Sequence, residues 1–68
     1  MKLSARNHLQ GTIAKITRGE VSANVVLDVG GQRIVSSITV EAVDDLGLKE
    51  GQAASAVIKA SDVMIAID

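Results

Sequence analysis

The stretch Val21-Ser22-Ala23-Asn24-Val25-Val26-Leu27-Asp28-Val29 decides the fold class of this chain of 68 residues. Apolar residues occupy every second position of the stretch, and mostly polar residues lie between them. Because successive side chains of a strand point to opposite faces of a sheet, this two-residue period predicts a β-strand with one buried face. Gly30-Gly31 follows directly. It predicts a hairpin turn and not a phosphate-binding loop, since no helix and no Gly-Lys-Ser/Thr sequence comes after it.

Two further strands flank this stretch. Residues 11–17 are β-branched and apolar enough for a strand, and Arg18-Gly19-Glu20 supplies a tight connection to the next one. Residues 33–40, which follow the glycine pair, form a third strand in which apolar and polar residues again alternate. The sequence therefore predicts a three-stranded antiparallel meander.

The second half of the chain predicts one helix and two more strands. Residues 41–46 mix acidic and apolar residues and are followed by Gly47, a typical C-terminal cap. Residues 54–59 and 63–67 are apolar strands joined by Ala60-Ser61-Asp62. The order β-β-β-α-β-β is that of an OB-type barrel. We therefore expect an all-β fold, a five-stranded OB-like barrel with one short helix between strands 3 and 4.

Composition excludes several classes of protein. The chain has no Cys, Trp, Tyr, Phe or Pro and a single His, so thiol, iron–sulfur and structural zinc sites are excluded. No apolar run is long enough to span a membrane or to form a signal peptide, and we expect a cytoplasmic protein. Residues 1–68 are expected to form a single domain, and so short a chain buries only about 60% of its unfolded surface. Without disulfides or structural metal, association with other copies is the remaining reinforcement, and we expect a homo-oligomer.

Two short polar segments carry most of the chemistry of the chain. They are the N-terminal donor segment, Ser4-Ala5-Arg6-Asn7, and the C-terminal donor segment, Lys59-Ala60-Ser61. Their polar side chains can donate hydrogen bonds, and neither segment contains a carboxylate. This combination suits a compact anion. The formal net charge of −1 gives no general attraction for nucleic acid or an acidic membrane, so an anion site must be a local concentration of donors.

The chain resembles the molbindins, a family of small molybdate- and tungstate-binding proteins built from an OB-like domain. The resemblance covers essentially the full length and is carried by residues 3–13, 41–48 and 57–64. Its most specific part is the Ser-Ala-Arg-Asn opening with Leu-x-Gly, together with Ile-Lys-Ala-Ser near the end. His8 is a departure, because a Gln is common at this position in such domains.

The resemblance implies a hexamer arranged as a trimer of dimers, with molybdate or tungstate bound as an oxyanion between subunits. It implies no catalytic cofactor and no direct coordination of a metal by side chains. A second class of oxyanion site, on threefold axes, is also implied, without assigned residues. Carried over to this sequence, the interface site takes one donor segment from each of two chains, with backbone N–H groups from the alanines. The residues are Ser4, Ala5, Arg6 and Asn7 from one chain, and Lys59, Ala60 and Ser61 from its dimer partner. Asn7 has an alternative role, in which it fixes the local backbone and does not touch the ligand.

Molybdate suits donors of this kind. It is a tetrahedral dianion with four acceptor oxygens and no donor, whereas phosphate at pH 7 often retains a proton that such a pocket would leave unpaired. Sulfate is also a tetrahedral dianion without a donor, so a site that rejects sulfate must do so by its smaller size. We therefore expect reversible binding and storage of molybdate or tungstate.

Other functions are less well supported by the sequence. An OB-fold binder of single-stranded nucleic acid is the main alternative, but the chain has no aromatic residue on which bases could stack. A purely structural assembly module is a third possibility, against which Arg6 and Lys59 count, although either residue alone is more often a solvated charge. Catalysis is not expected, because the sequence offers no nucleophile–base pair and no poised pair of carboxylates.

Overall fold

The computed structural model describes residues 2–68. All strand pairs are antiparallel, and the order in the sheet is β3-β2-β1-β4. The expectation of a mostly β fold with one short helix between the third and fourth strands is confirmed. The elements, in chain order, are β1 (Asn7–Arg18), β2 (Ser22–Val29), β3 (Gln32–Thr39), α1 (Val40–Leu46), β4 (Ala53–Ile58) and a 3-10 turn (Ala60–Asp62).

Strand β1 lies inside the sheet and pairs with two neighbours in succession. Its first half, residues 7–12, pairs with β4, and its second half, residues 12–18, pairs with β2. The strand begins at Asn7, whereas the sequence predicted a start at Gly11. The prediction was wrong because the early residues are largely polar, and the pairing that makes them a strand comes from β4, far along the chain.

A β-bulge lies where β1 changes partners. The register with β2 shifts between Ile13 and Lys15, which bends the strand at this point. Ile13 is anchored on both sides of its backbone: its N–H donates to the Gln52 carbonyl at 2.9 Å, and its carbonyl accepts from the Gly51 N–H at 2.7 Å. The bend therefore joins β1 to the connection that leads into β4.

The glycine pair forms the predicted hairpin turn between β2 and β3. Gly30 and Gly31 both have positive φ, 58° and 87°, as the two central residues of a type I′ turn require. The Asp28 carboxylate accepts a hydrogen bond from the Gly31 N–H at 2.8 Å and fixes the turn further.

Helix α1 packs one apolar residue, Val43, into the core. The Thr39 hydroxyl caps its start by accepting from the Ala42 N–H at 3.0 Å, and Gly47 ends it with φ 61°, as predicted. No helix within residues 2–68 is long and apolar enough to cross a membrane. The core lies between the helix and the inner face of the sheet and consists of Ile13, Ala23, Val25, Leu27 and Val43.

The predicted fifth strand does not form in the single chain. Residues 63–67 have no regular structure and pair with neither edge of the sheet, so the sheet made by residues 2–68 stays open. The apolar side chains of this segment are exposed: Met64 by 93%, Ile65 by 86% and Ile67 by 92%. A strand forms only where a neighbouring strand offers free N–H and C=O groups. The apolar pattern of residues 63–67 predicted a strand, but it does not say which strand would pair with it. A closed five-stranded barrel is therefore not what one chain forms.

We expect Gly11→Ala to lower the thermal stability of the protein. The added Cβ would collide with the Asp28 carbonyl oxygen and approach Val29 Cγ2 to 2.9 Å, and overpacking of this kind costs about 1–3 kcal/mol. The melting temperatures should be compared at the same protein concentration, because association between chains makes a melting temperature depend on concentration. Gly19→Ala is the comparison and should lose less stability, because its Cβ would meet one atom, the Ser22 carbonyl oxygen, at a tight but not colliding 3.1 Å. A Gly11→Ala protein as stable as the parent would contradict the close approach of β1 and β2.

Candidate anion-binding site

The antiparallel pairing of β1 with β4 brings both donor segments to one end of the sheet. Asn7, the first residue of β1, lies opposite Ile58, the last residue of β4. Residues 4–6 directly precede Asn7, and residues 59–61 directly follow Ile58. The structure thus places the two segments next to each other within one chain, although most of the sequence separates them.

Asn7 connects the two strand ends through its side chain. Its amide nitrogen, Nδ2, donates a hydrogen bond to the Ile58 carbonyl at 3.2 Å, and the residue is half-buried. The Ile58 carbonyl belongs to the peptide that leads into Lys59, so this contact fixes where the C-terminal donor segment leaves the sheet. In the single chain, Asn7 therefore links the start of β1 to the end of β4.

His8 makes a contact that the sequence did not reveal. Its ring nitrogen Nε2 lies 3.1 Å from the carbonyl oxygen of Ala5, inside the N-terminal donor segment. A carbonyl oxygen only accepts hydrogen bonds, so Nε2 must carry the proton and donate. The sequence showed only that His8 stands where related domains often have Gln. It gave no indication that the ring contacts Ala5.

The 3-10 turn shapes the C-terminal donor segment. The Lys59 carbonyl accepts from the Asp62 N–H at 2.9 Å, and the Ala60 carbonyl accepts from the Val63 N–H at 3.2 Å. Together with the carbonyls of Ala5 and Ile58, these oxygens already have protein donors. These four carbonyl oxygens are therefore held by contacts within the chain.

The two cationic side chains of the segments are Arg6 and Lys59, and both are exposed. Within residues 2–68, an ion pair joins Arg18 to Asp44 at 3.0 Å, and neither Arg6 nor Lys59 takes part in an ion pair there. The same residues contain no group of three His, Asp or Glu side chains that could hold a metal ion. In the lone chain the donor segments are open to solvent, with Ala5 and Asn7 half-buried and the others exposed: Ser4, Arg6, Lys59, Ala60 and Ser61.

Comparison with known proteins finds similarity along nearly the whole chain. The family model of the TOBE domain matches residues 3–65, which include both donor segments. Molybdenum-pterin-binding protein 3 of Clostridium pasteurianum is 47% identical over 66 residues, which cover 96% of this chain and 97% of the relative.

Solved structures show the same fold. A molybdate-binding protein from Sporomusa ovata superposes with a TM-score of 0.95 at 37% identity, covering 98% of this chain and 100% of the other. The cytoplasmic molybdate-binding protein ModG, solved with molybdate bound, has a TM-score of 0.90 at 55% identity, covering 94% of this chain and 46% of that protein.

We expect Asn7→Ala to destabilise the protein in the absence of any anion. It removes the hydrogen bond to the Ile58 carbonyl, and such a bond contributes about 0.5–1.5 kcal/mol to the free energy of unfolding. Thermal denaturation measures the loss. Asn24→Ala removes the same group from an exposed position in β2 and should stay close to the parent. Equal stability of the two variants would mean that Asn7 does not connect the strand ends in solution.

Proposed function

Because the chain belongs to the TOBE domain family and to the molbindins within it, we propose that it binds molybdate, and also tungstate, as a cytoplasmic homo-oligomer. The observation that carries this proposal is that both donor segments leave the β1–β4 pair at the same end of the sheet, so that a second copy covering this end would meet both. The activity proposed is reversible binding for molybdenum storage, without catalysis and without a catalytic cofactor. The unit that binds is the domain formed by residues 1–68.

Each donor has a distinct part in the proposed site. Arg6 presents a planar fork of N–H groups to two oxygens of the anion, and Lys59 supplies a compact charge. The hydroxyls of Ser4 and Ser61 and the backbone N–H groups of Ala5 and Ala60 complete the set of donors. The guanidinium, ammonium and backbone N–H groups can only donate hydrogen bonds, and the two hydroxyls can rotate to donate as well. A fully deprotonated tetrahedral dianion is the ligand that matches it.

The exposure of the donor segments is the reason to propose a site between subunits. Arg6 and Lys59 both face solvent in the single chain, and charge interactions in water are several-fold weaker than those covered by protein. A second copy that covers this end of the sheet would exclude water from the anion. We propose that the N-terminal donor segment of one chain and the C-terminal donor segment of its partner form each site, in a hexamer built as a trimer of dimers.

The exposed C-terminal segment, residues 63–67, supports this assembly. Val63, Ile65 and Ile67 would share one face of a strand, and the chain has a groove of matching apolar character between its two edge strands, β3 and β4. We propose that residues 63–67 of one copy lie in the groove of a second copy and complete its five-stranded, OB-like barrel. The walls of this groove include Ile34 and Ile38 of β3, Leu48, and Ala54, Ala56 and Ile58 of β4.

This exchange would bring the C-terminal donor segment to the subunit boundary. Residues 59–61 lie between the end of β4, which belongs to the chain's own sheet, and residues 63–67, which would enter the partner. In a twofold dimer the same surface of each chain forms the interface, so both copies of residues 59–61 lie there together. Assembly and anion binding are therefore coupled in this proposal.

We expect Arg6→Ala and Lys59→Ala each to weaken molybdate binding by roughly ten- to a hundredfold, because each removes charge-assisted hydrogen bonds that contribute about 1.5–3 kcal/mol. Titration calorimetry in buffer free of phosphate and sulfate measures the dissociation constant, and tungstate should compete. Arg33→Ala and Lys15→Ala are the matched controls, since they remove the same charges from exposed positions of β3 and β1.

Three results would count against the proposed function. A parent protein that binds neither molybdate nor tungstate, with no heat released or absorbed at two temperatures, would reject it outright. Parental affinity in both Arg6→Ala and Lys59→Ala would show that the site lies elsewhere. An equal loss in the two controls would show a general effect of net charge in place of a defined site.

We expect Ile65→Asp to break the oligomer into smaller species, because it would place a charge in the apolar groove of the neighbouring copy. Analytical ultracentrifugation at a fixed concentration measures the change. Ala66→Asp, on the opposite face of the same segment, is the control and should retain the parental mass. If Ile65→Asp also retains it, the segment does not lie between copies.

A further inference from the structure

We propose that His8 is a positioning residue of the anion site and holds the N-terminal donor segment in its binding conformation. The inference rests on the proposed function, because it gives a role to a residue beside that site. The observation is the hydrogen bond of 3.1 Å between His8 Nε2 and the Ala5 carbonyl oxygen. His8 lies on β1, and Ala5 precedes the strand.

The segment before β1 has little else to fix its backbone. Residues 4–6 belong to no helix or strand, and Ser4 and Arg6 are exposed. Within residues 2–68, the hydrogen bond from His8 is the only one between a side chain and the backbone of residues 4–6. His8 itself is anchored in the paired part of β1, opposite Val57 of β4. The bond therefore connects an irregular segment to a rigid one.

Peptide geometry transmits this contact to Arg6. The Ala5 carbonyl and the Arg6 N–H belong to the same planar peptide, and residues 2–68 contain no cis bond, so the two groups point in opposite directions. Holding the carbonyl on the His8 side therefore turns the Arg6 N–H to the other side, where we propose that it adds one backbone donor to those already assigned to the site.

The orientation of the Ala5–Arg6 peptide affects how strongly a dianion binds. A carbonyl oxygen pointed at the anion would repel it, whereas an N–H in the same place would bind it. A rotation of the Ala5–Arg6 peptide exchanges one for the other, and it would break the hydrogen bond to His8. His8 therefore favours the donor orientation without touching the ligand, and it needs only a proton on Nε2 to do so. A neutral glutamine amide could donate in the same way.

The test compares His8→Leu, which cannot donate, with His8→Gln, which can. We expect His8→Leu to weaken molybdate binding by about three- to tenfold, the effect of one neutral hydrogen bond, and His8→Gln to stay within about twofold of the parent. Gln10→Leu is the matched control, because it places the same apolar side chain two residues further along the same face of β1 and should bind like the parent. Calorimetry measures the affinities.

A second readout follows the peptide itself. The Arg6 amide signal in a proton–nitrogen NMR spectrum of the anion-free protein should shift in His8→Leu and return toward the parental position in His8→Gln. Parental affinity in His8→Leu, or equal weakening in both His8 variants, would overturn the inference while leaving molybdate binding intact. A parent that binds no molybdate would overturn the proposed function, and with it any role of His8 in binding, whatever the amide signals show.

Discussion

The first half of β1 and the whole of β4 are joined by six residue pairs, from Asn7 opposite Ile58 to Thr12 opposite Ala53. The candidate site depends on this ladder, because it places both donor segments at the same end of the sheet, where a partner chain could cover them. The ladder in turn depends on the bend in β1 at Ile13, where the strand passes from one partner to the other. Backbone contacts to Gly51 and Gln52 hold that bend against the start of β4.

The open edges of the sheet place a second constraint on the molecule. Strands β3 and β4 each have one unpaired edge, and exposed edges of this kind favour pairing with other chains. The exposed apolar residues 63–67 are suited to such pairing. The proposed exchange of these residues between copies would cover the edges, bury the apolar side chains and enclose the donor segments. One arrangement would then serve both stability and ligand binding.

The parts of the fold that could be predicted from the sequence are those with local causes. The alternation in β2, the turn at Gly30-Gly31 and the helix ending at Gly47 all follow from nearby residues. The start of β1 at Asn7 could not be predicted, because it depends on pairing with a distant strand. For the same reason an apolar pattern alone was not enough to make residues 63–67 a strand in one chain. The donor chemistry of Arg6 and Lys59 could be read from the sequence, whereas the contact of His8 with Ala5 depends on the path of the backbone.

The most direct test of a site shared between subunits is complementation between two defective chains. Arg6→Ala and Lys59→Ala proteins are unfolded together, refolded as mixed oligomers, and titrated with molybdate by calorimetry. If each site takes Arg6 from one chain and Lys59 from its partner, random mixing restores about a quarter of the parental high-affinity sites. If both residues come from the same chain, every site in the mixture lacks one of them. Mixed oligomers without any recovered high-affinity binding would therefore contradict the shared site.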